Sequence, residues 1–106
     1  MPKKSLTESH IHPKVSDRIL LWGQVLAAVR RKQRLSLNDM AQRVQVSQQT
    51  LVRMEKGDVT VRIATWMTVF QVLGVLDYLA PLPPAELLDR ALLPQRVRKP
   101  EVDDDF

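Results

Sequence analysis

The chain has 106 residues, a net charge of +4, 44% hydrophobic residues and no cysteine. That length holds one small domain with tails and a modest core. The missing cysteines exclude disulfides and thiolate metal sites, and no apolar run reaches the ~20 residues of a membrane span. The charge is divided unevenly. Residues 1–62 carry 12 Lys/Arg against 5 Asp/Glu, or +7, and residues 63–106 carry 4 against 7, or −3. A basic front half suits phosphates, and the acidic back half points to a second, different partner.

Residues 1–15 are polar and contain Pro2 and Pro13, which reads as a flexible arm. Lys3 and Lys4 are followed by polar residues instead of an apolar stretch, so a secretory signal is not expected. Ser16 is placed to cap a first helix starting near Asp17, whose carboxylate suits the positive end of the helix dipole. This helix is expected to run to about Lys32, with Leu21, Trp22, Val25, Leu26 and Val29 on its apolar side. Trp22 belongs either to the core or to a dimer surface.

Ser36 caps a second helix over residues 37–44, with Met40, Ala41 and Val44 inward. The turn is Gln45-Val46-Ser47, in which Val46 is the apolar plug and Ser47 caps the third helix, Gln48 to about Lys56. Leu51 and Met54 face inward, and Gly57 follows as a left-handed C-cap. A fourth helix is expected from about Arg62 to Leu73. Its inner residues are Ile63, Trp66, Met67, Phe70 and Leu73, and Gly74 ends it. The aromatic spacing reads as core, not as a ligand pocket. A short fifth helix spans about residues 75–80, and the prolines at 81, 83 and 84 stop it. Residues 85–93 predict one more amphipathic helix, with Pro84 at its start and Pro94 at its end. The remainder, QRVRKPEVDDDF, is charged and expected to be disordered until bound. The fold class is therefore all-α. A compact five-helix bundle occupies residues 16–80, and residues 81–106 form a C-terminal extension.

Two capped helices joined by a tight turn, SLNDMAQRVQVSQQTLVRMEKG, read as a helix-turn-helix. The segment resembles the lambda-repressor/Cro-type family of DNA-binding regulators, also called the XRE family. The resemblance covers about residues 21–80. It rests on Gly23-Gln24-Val25-Leu26, SLNDMA, VSQQTLVRMEKG, and Trp66 through the LGV at 73–75. It implies that the start of the third helix enters a major groove. Gln48, Gln49 and Arg53 would then contact bases. Glutamine pairs with adenine N6/N7 and arginine with guanine O6/N7, each good pair supplying roughly 1–3 kcal/mol of discrimination. Ser36, with the free amides beside it, is expected to form an anion site. Arg43, Ser47, Thr50, Lys56 and Arg62 are the other expected backbone contacts. The family usually carries a glutamine at the first position of the second helix, where it contacts the DNA backbone and braces the recognition helix. Leu37 stands there, so that contact is expected to be lost. Arg30 and Glu55 match positions that form a structural ion pair in family members, although Arg30 could instead meet a phosphate.

The resemblance also implies dimerisation, with recognition helices ~34 Å apart. The expected interface is Val75, Leu76, Tyr78, Leu79 and Leu82. Within the family, IATWMTVFQVLGVLDYLA and ALLPQRVRKP resemble HipB-like antitoxins that neutralise HipA-type kinase toxins and repress their own operons. This implies a kinase partner docking on Leu87, Leu88 and Leu92, with the acidic run from Glu101 to Asp105 meeting a basic groove. HipB itself ties its dimer with a strand, which the prolines here disfavour. A free-standing regulator and an interaction module that has lost DNA binding remain alternatives. His10 and His12, two apart without a third ligand, make a poor metal site. No nucleophile–base constellation and no phosphate-cradling glycine loop is present. Neither an enzyme nor a cofactor is expected, and the expected location is the bacterial cytoplasm.

Overall fold

The computed structural model describes residues 10–98. Six helices follow one another, and no strand occurs among the described residues. They are α1 (Pro13–Lys32), α2 (Leu37–Val44), α3 (Gln48–Glu55), α4 (Ile63–Leu73), α5 (Leu76–Leu79) and α6 (Ala85–Arg98).

Helix α1 begins earlier than expected, taking three residues from the expected arm. Its N-cap is His12, whose Nδ1 accepts from the Lys14 amide at 3.0 Å. Pro13 takes the first helical position, where its missing N–H costs nothing. Ser16 is therefore inside the helix, where its hydroxyl donates to the Pro13 carbonyl at 3.3 Å. Asp17 lies beyond the first turn and loses the dipole role assigned to it. Arg30, Arg31 and Lys32 occupy the last turn, where cations suit the negative helix end.

The core consists of Leu26, Met40, Ala41, Val44, Leu51, Met54, Trp66, Val69, Phe70 and Leu73. Trp22 packs onto it, with its ring centroid 5.6 Å from Trp66 and 4.9 Å from Phe70. The second contact is edge-on, a favoured aromatic geometry. Trp22 is thus part of the core. Leu21 instead points outward, since it lies about 140° around the helix from the buried Leu26. A similar correction applies in α4. Met67 and Ile63 are exposed, and Val69 is buried in their place. At 3.6 residues per turn, Met67 lies about 110° from the centre of the arc formed by Trp66, Val69, Phe70 and Leu73.

Helix α2 opens with a capping box. The Asp39 amide donates to Ser36 Oγ at 3.0 Å, and the Ser36 amide donates to Asp39 Oδ2 at 3.2 Å. Gln45, first in the turn, sits in the left-handed region at φ 58°, a conformation that glycine adopts more readily. Val46 plugs the core from the turn. The C-terminal glycines of α3 and α4, Gly57 and Gly74, have φ of 81° and 84°. The Gln33 side-chain amide donates to the Leu73 carbonyl at 3.0 Å, joining the ends of α1 and α4.

Helix α5 is a single turn. Val75, Leu76, Leu79 and Ala80 pack partly against the core. After the Pro81–Pro84 link comes α6, whose residues 85–92 are all exposed. It does not stop at Pro94 but continues to Arg98. Proline's φ near −65° is compatible with the helix, and its missing N–H costs the single bond to the Arg90 carbonyl. Residues 95–98 are thus helical, contrary to the expectation of disorder. The acidic run from Glu101 to Asp105 lies outside the described residues. Among the described residues, no helix is long and apolar enough to cross a membrane.

Candidate nucleic-acid interface

Helix α3 is fixed at both ends, and this defines the surface it presents. At its start, Ser47 Oγ accepts from the Thr50 amide at 3.0 Å, and the two hydroxyls lie 3.0 Å apart. Along its inner side, Leu51 and Met54 are fully buried. At its end, Arg30 Nε donates to Glu55 Oε2 at 2.7 Å and Arg30 Nη2 to Glu55 Oε1 at 3.2 Å. Arg30 Nη1 also donates to the Leu35 carbonyl at 2.8 Å. The guanidinium therefore holds the end of α1, the approach to α2 and the end of α3 together. These contacts place Arg30 within the fold and leave it poorly available to a phosphate.

The outer side of α3 carries Gln48, Gln49 and Arg53, all exposed. Among the described residues Gln49 has no hydrogen-bond partner, whereas Gln48 Nε2 donates to Asn38 Oδ1 at 3.1 Å. Leu37 packs against the core. The start of α3 is therefore braced through Asn38, one position after Leu37. Asn38 was not singled out in the sequence, because an exposed asparagine near a helix start has no pattern of its own.

Arg53 is not free. Its Nε donates to Asp58 Oδ2 at 2.9 Å and its Nη2 to Thr60 Oγ1 at 2.9 Å. Asp58 Oδ1 in turn accepts from the Thr60 amide at 2.8 Å and from the Thr60 hydroxyl at 2.6 Å. Partial burial alone would raise the Asp58 carboxyl. The Thr60 hydroxyl and amide and the Arg53 guanidinium outweigh it, and lower the carboxyl from the usual 3.8 to about 2. Asp58 and Thr60 were missed as site residues. The Asp-x-Thr pattern, in which a side chain bonds the backbone two residues on, is the signal that could have found them.

A pH dependence follows from this shift. A carboxyl whose folded value is depressed stabilises the fold fully above its unfolded value. That contribution is lost as pH falls from 3.8 through about 2. Allowing for solvent screening, it is about 1 kcal/mol. Urea midpoints of the wild type and Asp58→Asn should therefore differ at pH 5 and converge towards pH 2. A gap that stays constant over this range contradicts the assignment.

The expected backbone contacts divide. Arg43, Lys56 and Arg62 are exposed, on the last turn of α2, the C-cap of α3 and the N-cap of α4. Arg62 provides no side-chain cap, so the first amides of α4 remain open to an anion. They adjoin a groove lined by Ser47, Thr50, Arg53, Thr60, Arg62 and Thr65. Ser36 differs from them. Its amide and hydroxyl are both engaged with Asp39, and the hydrogen bond from the Ser36 amide holds the Asp39 carboxyl below the usual range. The Ser36 amide and hydroxyl are thus satisfied within the chain by Asp39.

Of the expected dimer residues, Val75, Leu76 and Leu79 are half-buried against the protein's own core, while Tyr78 and Leu82 are 83% and 87% exposed. Leu87, Leu88 and Leu92 are exposed on α6. Among the described residues, no group of three or more His, Cys, Asp or Glu could hold a metal ion.

No curated protein and no solved structure is a significant match to this chain. Residues 22–82 match the model of the helix-turn-helix domain, a span that begins at Trp22, includes α2, the turn and α3, and ends beyond α5. Since the match covers more than half of the chain, the protein belongs to the helix-turn-helix domain family.

Proposed function

We propose that this helix-turn-helix protein is a sequence-specific transcriptional repressor that binds operator DNA as a dimer. One observation carries the reading. A rigidly mounted α3 presents Gln48 and Gln49 outward, and Arg43, Lys56 and Arg62 are exposed on the last turn of α2, the C-cap of α3 and the N-cap of α4. Glutamine amides suit adenine edges in the major groove, and flanking cations suit phosphates. The basic balance of residues 1–62 would draw the protein to DNA. Dimerisation would use Tyr78 and Leu82, whose exposure exceeds what a small monomer ordinarily leaves uncovered.

The antitoxin reading rests on the resemblance of residues 63–80 and 91–100 to HipB-like regulators. It is supported by α6, an outlying helix whose Leu87, Leu88 and Leu92 are available to a kinase toxin. In this reading the protein represses its own operon in the bacterial cytoplasm. A gene for a HipA-type kinase beside its own would separate this role from that of a free-standing regulator.

The deciding experiment is fluorescence anisotropy of the full chain on duplex DNA from upstream of its gene, at two salt concentrations. Specific binding that weakens steeply with salt is the expected result. Gln48→Ala and Gln49→Ala should each lower operator affinity about tenfold, corresponding to roughly 1–3 kcal/mol per base pair contact, with folding unchanged. Equal affinity for scrambled DNA, or no effect of either substitution, would overturn the reading.

A further inference from the structure

Two arginines are tied to carboxylates in this fold, and they are tied differently. Arg30 uses every face of its guanidinium. Nε and Nη2 go to Glu55, and Nη1 goes to the Leu35 carbonyl. Arg53 uses one edge only, with Nε on Asp58 and Nη2 on Thr60. A guanidinium has five N–H donors in a fixed plane. Nε and Nη2 share its side edge, whereas Nη1 and Nη2 share its end. With the side edge occupied, three donors remain, two of which form the fork at the end, and it is a fork of this kind that pairs with guanine O6 and N7.

The support beneath Arg53 is itself fixed. Asp58 Oδ1 is held by two hydrogen bonds from Thr60, so Oδ2 keeps its place against Arg53 Nε. Thr60 Oγ1 accepts from Arg53 while donating to Asp58, which closes a three-residue ring. The ring has an electrostatic effect too. An unsupported arginine at a DNA surface is drawn to phosphates, which line every sequence equally. A carboxylate against its side edge offsets that attraction and leaves the donor pattern at the end intact.

We propose that Asp58 and Thr60 are specificity-determining residues: they hold Arg53 side-on, so that its free end reads a guanine and not the phosphate backbone. This rests on the DNA-binding reading above. Neither Asp58 nor Thr60 needs to touch a base. They act through Arg53 as positioning residues.

The test is selection of the full-length protein on a pool of duplexes with a randomised core, with salt-dependent binding to poly(dI-dC) as the non-specific reference. Wild type, Arg53→Ala, Asp58→Asn and Thr60→Val are compared, with circular dichroism as the check of folding. The wild type should enrich a site in which one G·C pair depends on Arg53. Asp58→Asn should lower preference at that pair about tenfold, bind the reference several-fold more tightly, and steepen its salt slope by about one phosphate contact. Thr60→Val, which keeps the carboxylate, should blunt the same pair by a smaller factor without the change in salt slope. If Asp58→Asn and Thr60→Val both keep the wild-type preference, or weaken all sequences uniformly, the inference is overturned. If Arg53→Ala leaves every enriched position unchanged, it is also overturned, while the DNA-binding reading stands. If the wild type itself enriches nothing, the DNA-binding reading fails and takes this inference with it.

Discussion

Arg30→Ala should lower the unfolding free energy by about 3–5 kcal/mol, the range for breaking a buried ion pair by removing one partner. The side chains of Arg30 and Glu55 are 11% and 15% exposed, so water does little to screen the charge left behind. Alanine would remove both bonds to the Glu55 carboxylate and the bond to the Leu35 carbonyl. Urea denaturation followed by circular dichroism measures the loss. The double variant Arg30→Met with Glu55→Leu should recover most of it, because an apolar pair leaves no uncompensated charge. A cost for Arg30→Ala below about 1 kcal/mol would mean that the pair behaves like a surface salt bridge.

Gly23→Ala is expected to reverse the usual sign. Inside a helix, alanine is ordinarily favoured over glycine by about 1 kcal/mol. Here a Cβ would collide with the Met54 carbonyl oxygen and lie 2.9 Å from the Glu55 carbonyl oxygen and 3.0 Å from the Glu55 carbonyl carbon. All three are backbone atoms at the end of α3, so no side-chain rotation can make room. Helices α1 and α3 would have to separate, opening a core in which Leu26, Leu51 and Met54 are almost completely buried. A net loss of about 2 kcal/mol is expected for Gly23→Ala and about 3 kcal/mol or more for Gly23→Val. Thermal unfolding tests this directly. An alanine variant as stable as wild type would show that the crossing can widen freely.

The parts of the fold visible in the sequence are those with short-range causes. Ser36 and Ser47 cap helices through bonds spanning three residues, and Gly57 and Gly74 end helices through their own dihedral angles. Such signals survive in a linear reading. The start of α1 was displaced because histidine is seldom an N-cap, whereas Ser16 offered a more usual residue nearby. Val69 was overlooked because Met67 fits the same spacing pattern, and only the direction of α1 and its Trp22 determines which side of α4 is covered. Pro94 reads as a stop, yet proline is a stop only where the lost bond and the ring's crowding outweigh the remaining helix. The exposure of Gln48, Gln49 and Arg53 was legible from their place on α3, but the partners Asn38, Asp58 and Thr60 of Gln48 and Arg53 were not. Those partners come from α2 and from the loop after α3, and their approach depends on how the chain turns at Gln45 and Gly57.

The aromatic cluster has a practical consequence. The chain contains two tryptophans, Trp22 and Trp66, and they lie against each other across α1 and α4. Their excited states are therefore close enough to couple, and both rings also touch Phe70. Neither belongs to α3 or to the loop after it, where DNA would dock. Intrinsic emission is thus an optical gauge of whether α1 and α4 remain joined, supplied by the natural sequence. Base contacts at α3 would leave it largely silent, so the same sample can report folding through its own light and DNA binding through a label on the duplex.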